Sequence, residues 1–131
     1  MTRSSSRTPI RRKAAAAAAA AALALGAGLL ASAPAEAATC GVSGGRLYCG
    51  NTPDVDMFRY ASFSAPWVDT LKTNPSVFDC WTTGEWHGGG NSTWYGAYGD
   101  VTGRFGMVPA EVVYTSSAFD ANPGAYGLRH C

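Results

Sequence analysis

Cys40, Cys49, Cys80 and Cys131 are the residues whose type and spacing bear most directly on chemistry. They contain no CxxC pair, whereas zinc sites favour closely spaced ligand pairs. Oxidation to two disulfides is therefore the expected chemistry, and no metal site or cofactor is expected. Four cysteines allow three pairings, and sequence alone does not choose among them. Cys40–Cys49 with Cys80–Cys131 is preferred. The first bridge closes a short loop around the Gly44-Gly45 turn, and the second ties the tail to the interior. Each bridge stabilises by about 2–4 kcal/mol, the longer loop more.

His87 is the other residue with catalytic potential. A triad needs a nucleophile, a base and an orienting acid held together. Ser76, Ser92, Asp79 and Asp100 are available, but no G-x-S-x-G or reactive-cysteine context surrounds them. His87 is expected to be a solvated loop histidine, and no catalytic residue is assigned. The acids are too scattered to form a glycosidase pair. Gly88-Gly89-Gly90 lacks the Lys-Ser/Thr and helix start of a phosphate loop. Asn91-Ser92-Thr93 matches the glycosylation pattern, a match that chance produces often.

The elements that must position these residues begin with a leader. Arg3, Arg7, Arg11, Arg12 and Lys13 precede an apolar stretch from Ala14 to Leu30, and Ala35-Glu36-Ala37 follows. This is the layout of a cleaved signal peptide over residues 1–37. The apolar stretch is Ala-rich and interrupted by Gly26 and Gly28, too weak for a spanning helix of about 20 apolar residues. Arg11-Arg12 leaves twin-arginine export open beside the general secretory route. A secreted, extracellular location follows, with no membrane association after cleavage, and export makes the disulfide reading natural.

Beyond Ala37 the chain carries five cations against eight acids, a net charge of −3, so the +1 of the whole sequence belongs to the leader. A mildly acidic domain with scattered cations is a poor nucleic-acid or anionic-membrane binder. Turn residues interrupt the remainder every eight to twelve residues or so, which predicts short strands. Strands are expected at Val55–Tyr60, around Trp67, Val68 and Leu71, and at Val77–Thr82, Thr93–Tyr98 and Arg104–Val108. A disulfide-closed segment (38–54) precedes this five-stranded all-β barrel (55–113), and a turn-rich tail (114–131) follows. Tyr95, Phe78 and Phe105 are expected in the core. Trp81 is expected to pack on a disulfide, and Trp94 to face a groove or the surface.

The stretch TWYGAYGDVTGRFGMVPAEVV, Thr93 to Val113, resembles the second half of Src-homology-3 (SH3) domains. Trp94-Tyr95 opens a strand, Ala97 supplies the small residue, and Gly103-Arg-Phe-Gly106 leads through Met107-Val108-Pro109 toward a single 3₁₀ turn. Ala65 to Leu71 resembles a strand of bacterial extracellular (SH3b) versions, and Met57-Phe58-Arg59-Tyr60 sits where the family's recognition loop begins. The resemblance implies an SH3-like barrel. It also implies a shallow ligand groove formed by Phe58 and Tyr60 on one side, Trp94 in the middle, and Met107 and Pro109 on the other. Peptide-binding members carry Tyr where this chain has Val112 and an aromatic where it has Met107, and the loop Ala61–Ala65 lacks acids. These departures point away from proline-rich peptides, and what the resemblance to bacterial extracellular versions implies, binding of peptidoglycan or another wall polymer, survives them.

The sequence thus supports a secreted, non-catalytic SH3-like module that binds cell-wall peptidoglycan or an extracellular peptide. The alternative is a disulfide-stapled effector, a protease inhibitor or signalling protein, whose contact surface is the loop Gly84–Ser92. Three consecutive glycines predict flexibility there, which disfavours an inhibitory loop. A small hydrolase dependent on His87 is the third reading.

Overall fold

Short β-prone runs between turns give eight strands in the computed structural model, which describes residues 40–131. They are β1 (Gly41–Ser43), β2 (Arg46–Cys49), β3 (Val55–Phe58), β4 (Trp67–Leu71), β5 (Ser76–Phe78), β6 (Cys80–Thr83), β7 (Thr93–Tyr98) and β8 (Phe105–Pro109). A 3₁₀ turn (Ala110–Val112), a short helix α1 (Ser117–Ala121) and a second 3₁₀ turn (Pro123–Tyr126) follow. Ser116 caps α1 by accepting the Phe119 N–H. The predicted leader lies outside the described residues.

The strands form two antiparallel sheets, ordered β1-β2-β5 and β4-β3-β8-β7-β6. The expected closed five-stranded barrel is not formed, because β4 and β6 remain the two edges of an open sheet. One cause is visible at Asp79. The predicted strand Val77–Thr82 breaks there into β5, which pairs with β2, and β6, which pairs with β7. The Asp79 N–H donates to the Gly96 carbonyl, while its carboxylate holds Arg46 at 2.9 Å. One residue therefore redirects the chain from one sheet to the other. The hairpin β1–β2 turns through Gly44 and Gly45, both at positive φ, where glycine carries no steric penalty. Both preferred disulfides, Cys40–Cys49 and Cys80–Cys131, are formed.

The core unites Leu47 and Cys49 of the first sheet with Met57, Val68, Leu71, Tyr95, Ala97 and Val108 of the second, and Leu128 of the tail. Phe78 and Tyr95 pack tilted at 6.1 Å. Phe105 does not join them. It is 39% exposed and packs edge-on against Tyr98 at 5.3 Å. Strand alternation explains this, since Phe105 stands opposite Tyr98 on the outer face.

Three buried polar groups fix the links. Asp69 is fully enclosed and accepts the N–H groups of Thr70, Val101, Thr102 and Arg104 and the Thr102 hydroxyl. Burial pushes its carboxyl up. The Thr102 hydroxyl and the Thr70, Arg104 and Val101 N–H groups outweigh that and hold it well below the usual carboxylate range. This cage sets the β7–β8 turn, and a side chain at Gly99 would collide with the Asp69 carboxylate. Asp120 accepts the Tyr95 and Thr115 hydroxyls at 2.6 Å each, locking α1 to β7. Burial first, then the bond and the nearby charge of Asp120, raise the Tyr95 phenol above its ordinary value. Asn51 donates to the carbonyls of Thr52 and Thr73, and its N–H donates to Asn74 Oδ1, stitching two turns together.

Candidate functional site

Strands β3, β8 and β7 bring together four of the five residues predicted for the groove. Phe58 stands opposite Met107, and Trp94 stands opposite Pro109. The Phe58 and Trp94 rings meet edge-on at 6.2 Å. Tyr60, the fifth, lies in the loop after β3 and is 56% exposed.

The groove itself is covered. Trp94 is 0% exposed, contrary to the expectation of a groove or surface position. Met107 and Pro109 are also buried, and Phe58 is half-buried. Two loops account for this. From the first, Phe63 lays its ring 5.0 Å from Trp94 and 5.9 Å from Phe58. From the second, the Glu85 carbonyl accepts the Trp94 indole N–H at 2.8 Å, and His87 meets the indole edge-on at 6.1 Å. Trp94 thus has its polar atom satisfied and its faces packed, as a core aromatic does.

Glu85 clasps the two loops to each other. Its carboxylate accepts the Ser62 hydroxyl and the Phe63 N–H, at 2.9 and 2.8 Å. Its own N–H donates to the Ala61 carbonyl. Gly84 makes this approach possible, because a Cβ there would overlap Ala61.

His87 is 3% exposed, not solvated. The Gly89 N–H donates to Nδ1 at 3.1 Å, which leaves Nε2 to donate to the Thr93 carbonyl at 2.8 Å. Both ring nitrogens are engaged by main chain, and neither faces Ser92 or Ser76 as a base would. The His87 N–H and carbonyl bond Asn91 and Gly90 respectively. The three glycines therefore form an ordered turn around a buried imidazole, in place of the expected flexible loop.

Four large aromatics remain on this part of the surface. Trp86 is 68% exposed, Tyr60 56%, Trp67 50% and Phe63 42%. Tyr60 and Phe63 belong to the first loop, Trp67 opens β4 opposite Phe58, and Trp86 heads the second. Tyr60, Phe63 and Trp86 thus stand exposed on the two clasped loops, and Trp67 at the start of the strand that follows the first. Sequence reasoning missed Phe63 and Glu85. A lone phenylalanine between Ser62 and Ser64 in a polar loop was the available signal, whereas nothing local distinguishes Glu85. Trp81, expected on a disulfide, follows Cys80 and meets the His130 ring edge-on at 4.6 Å. No three His, Cys, Asp or Glu side chains among the described residues are grouped to hold a metal ion.

Comparison with known proteins yields no matching family model, no matching curated sequence and no matching solved structure.

Proposed function

We propose that this chain is a secreted, non-catalytic binding module of SH3-like type that engages cell-wall peptidoglycan through loop aromatics. The observation that carries the reading is the exposure of Tyr60, Phe63 and Trp86 on two loops clasped by Glu85, with Trp67 at the head of β4. Rigid aromatic faces stack on sugar rings and on peptide planes at little entropic cost. Three features support the SH3-like part: the β7–β8 hairpin, the Trp94–Pro109 pairing and the 3₁₀ turn that follows directly. Two disulfides suit an oxidising exterior, and no described helix is long and apolar enough to cross a membrane. Enclosure of Trp94 removes the aromatic floor that a polyproline peptide would use, so the ligand contact moves to the rim. Retention on purified peptidoglycan tests this. Wild type is expected to bind, and Tyr60→Ala/Trp67→Ala to lose binding with its melting curve unchanged. Absent wild-type retention, or full retention by the variant, refutes it.

A second reading gains from the ordered glycine turn. A rigid loop presenting Trp86 suits a protease inhibitor better than the flexible loop expected from Gly88-Gly89-Gly90. Inhibition of secreted proteases that is lost in Trp86→Ala would favour it over wall binding.

A further inference from the structure

Where the two sheets meet lies an open groove of about 380 Å³, within the range of small-ligand sites. Both sheets line it. Arg46 comes from β2, Val77 from β5 and Tyr98 from β7, while Thr73, Asp79 and Asp100 come from the links. Tyr98 is 60% exposed, so much of its ring stands free, and Phe105 supports it edge-on.

The polar groups are held in place. Arg46 Nε is fixed by Asp79 Oδ1 at 2.9 Å, which leaves its terminal N–H groups as donors. Asp100 Oδ2 accepts the Lys72 and Thr73 N–H groups and the Thr73 hydroxyl, at 2.7, 3.1 and 3.2 Å. Asp100 Oδ1 takes no part in these bonds, and the Asp79 carboxylate lines the same groove, so both supply acceptors. Donors and acceptors therefore sit side by side near an aromatic face. A hydroxyl group is both donor and acceptor, so a ring with hydroxyls on its rim and C–H groups on its face matches this lining. An anion would meet two carboxylates, and a compact cation would meet the Arg46 guanidinium.

We propose that this groove is a saccharide site, holding a neutral sugar ring stacked on Tyr98 with its hydroxyls bonded to Arg46, Asp79 and Asp100. The groove shares no lining residue with the loop aromatics, so the two readings fail separately. Amide chemical-shift titration of the disulfide-bonded protein tests it, with chitotetraose and cellotetraose as neutral probes, tetragalacturonate as anionic probe and a chitosan tetramer as cationic probe. A neutral tetrasaccharide is expected to shift the Val77, Tyr98 and Asp100 amides saturably, and the charged probes to leave them in place. Tyr98→Ala and Arg46→Gln should each weaken binding about tenfold, and Trp86→Ala should leave it unchanged. The proposal is overturned if neither neutral probe shifts these amides, if a charged probe binds more tightly, or if binding survives both groove variants.

Discussion

Replacing Trp94 with alanine separates a core role from a ligand-contact role. Its indole is fully buried, packed by Phe58, Phe63 and His87, and its N–H donates to the Glu85 carbonyl. Truncating an enclosed aromatic costs about 3–5 kcal/mol, and a carbonyl left without its donor adds to that. A cost of about 4 kcal/mol is large against the roughly 5–14 kcal/mol expected for a domain of about 90 residues. At about 4–8 °C per kcal/mol the melting temperature should fall by roughly 16–32 °C. Near-ultraviolet circular dichroism during heating, with both disulfides intact, measures it. Trp86→Ala is the matched control: its ring is 68% exposed, and its cost should stay within about 0.5 kcal/mol. A Trp94→Ala protein within about 1 kcal/mol of wild type would refute the reasoning, as would equal losses in the two variants.

Three other outcomes are expected. The Asp69 carboxyl titrates well below its ordinary 3.8 in the folded state, so its stabilisation is present above that value and fades progressively as pH falls below it toward the depressed folded-state value. Melting temperatures from about pH 6 to about pH 2 should drop in wild type more steeply than in Asp69→Asn, and parallel curves would contradict the cage. The two bridges span sequence separations of 51 and 9. Cys80→Ser/Cys131→Ser should therefore cost about 4 kcal/mol and Cys40→Ser/Cys49→Ser about 2.5 kcal/mol by urea unfolding, and the reverse order would count against loop entropy as the cause. His87→Ala should speed amide exchange at Gly89 and Gly90 by about tenfold or more, and unchanged protection would show that the imidazole does not order that turn.

Legibility in the sequence followed the range of the forces involved. Turn chemistry is local, so Gly44-Gly45 marked a real reversal, and Thr93–Tyr98 matched β7 residue for residue. The preferred pairing of the cysteines is the one formed, and for Cys40 and Cys49 the short loop with its glycine turn is the local reason. What stayed hidden depended on partners distant in sequence. Val77–Thr82 reads as one β-prone run, yet Arg46 and Gly96 capture Asp79 and divide it. Alternation placed Trp94 on the face opposite Tyr95, which was right, but nothing local announced that Phe63 and His87 would cover that face. Ser116–Ala121 was read as turn-rich tail, and α1 exists because Asp120 finds Tyr95 and Thr115. Gly88-Gly89-Gly90 suggested mobility for the same reason, since the constraint comes from an imidazole turned inward.

The main-chain path of Arg129–Cys131 has a consequence for solubility. The Trp81 N–H donates to the Arg129 carbonyl, and the Cys131 N–H donates to the Trp81 carbonyl, so this stretch runs parallel to β6 as a short extra ribbon. An unpaired sheet margin is a template for intermolecular strand addition and fibril growth. Along β6 this ribbon covers part of that margin, and the Cys80–Cys131 bond keeps it from peeling away. Reduction of that one bond would thus do more than loosen the chain: it would free Arg129–Cys131 to leave β6 and expose the backbone groups it now pairs.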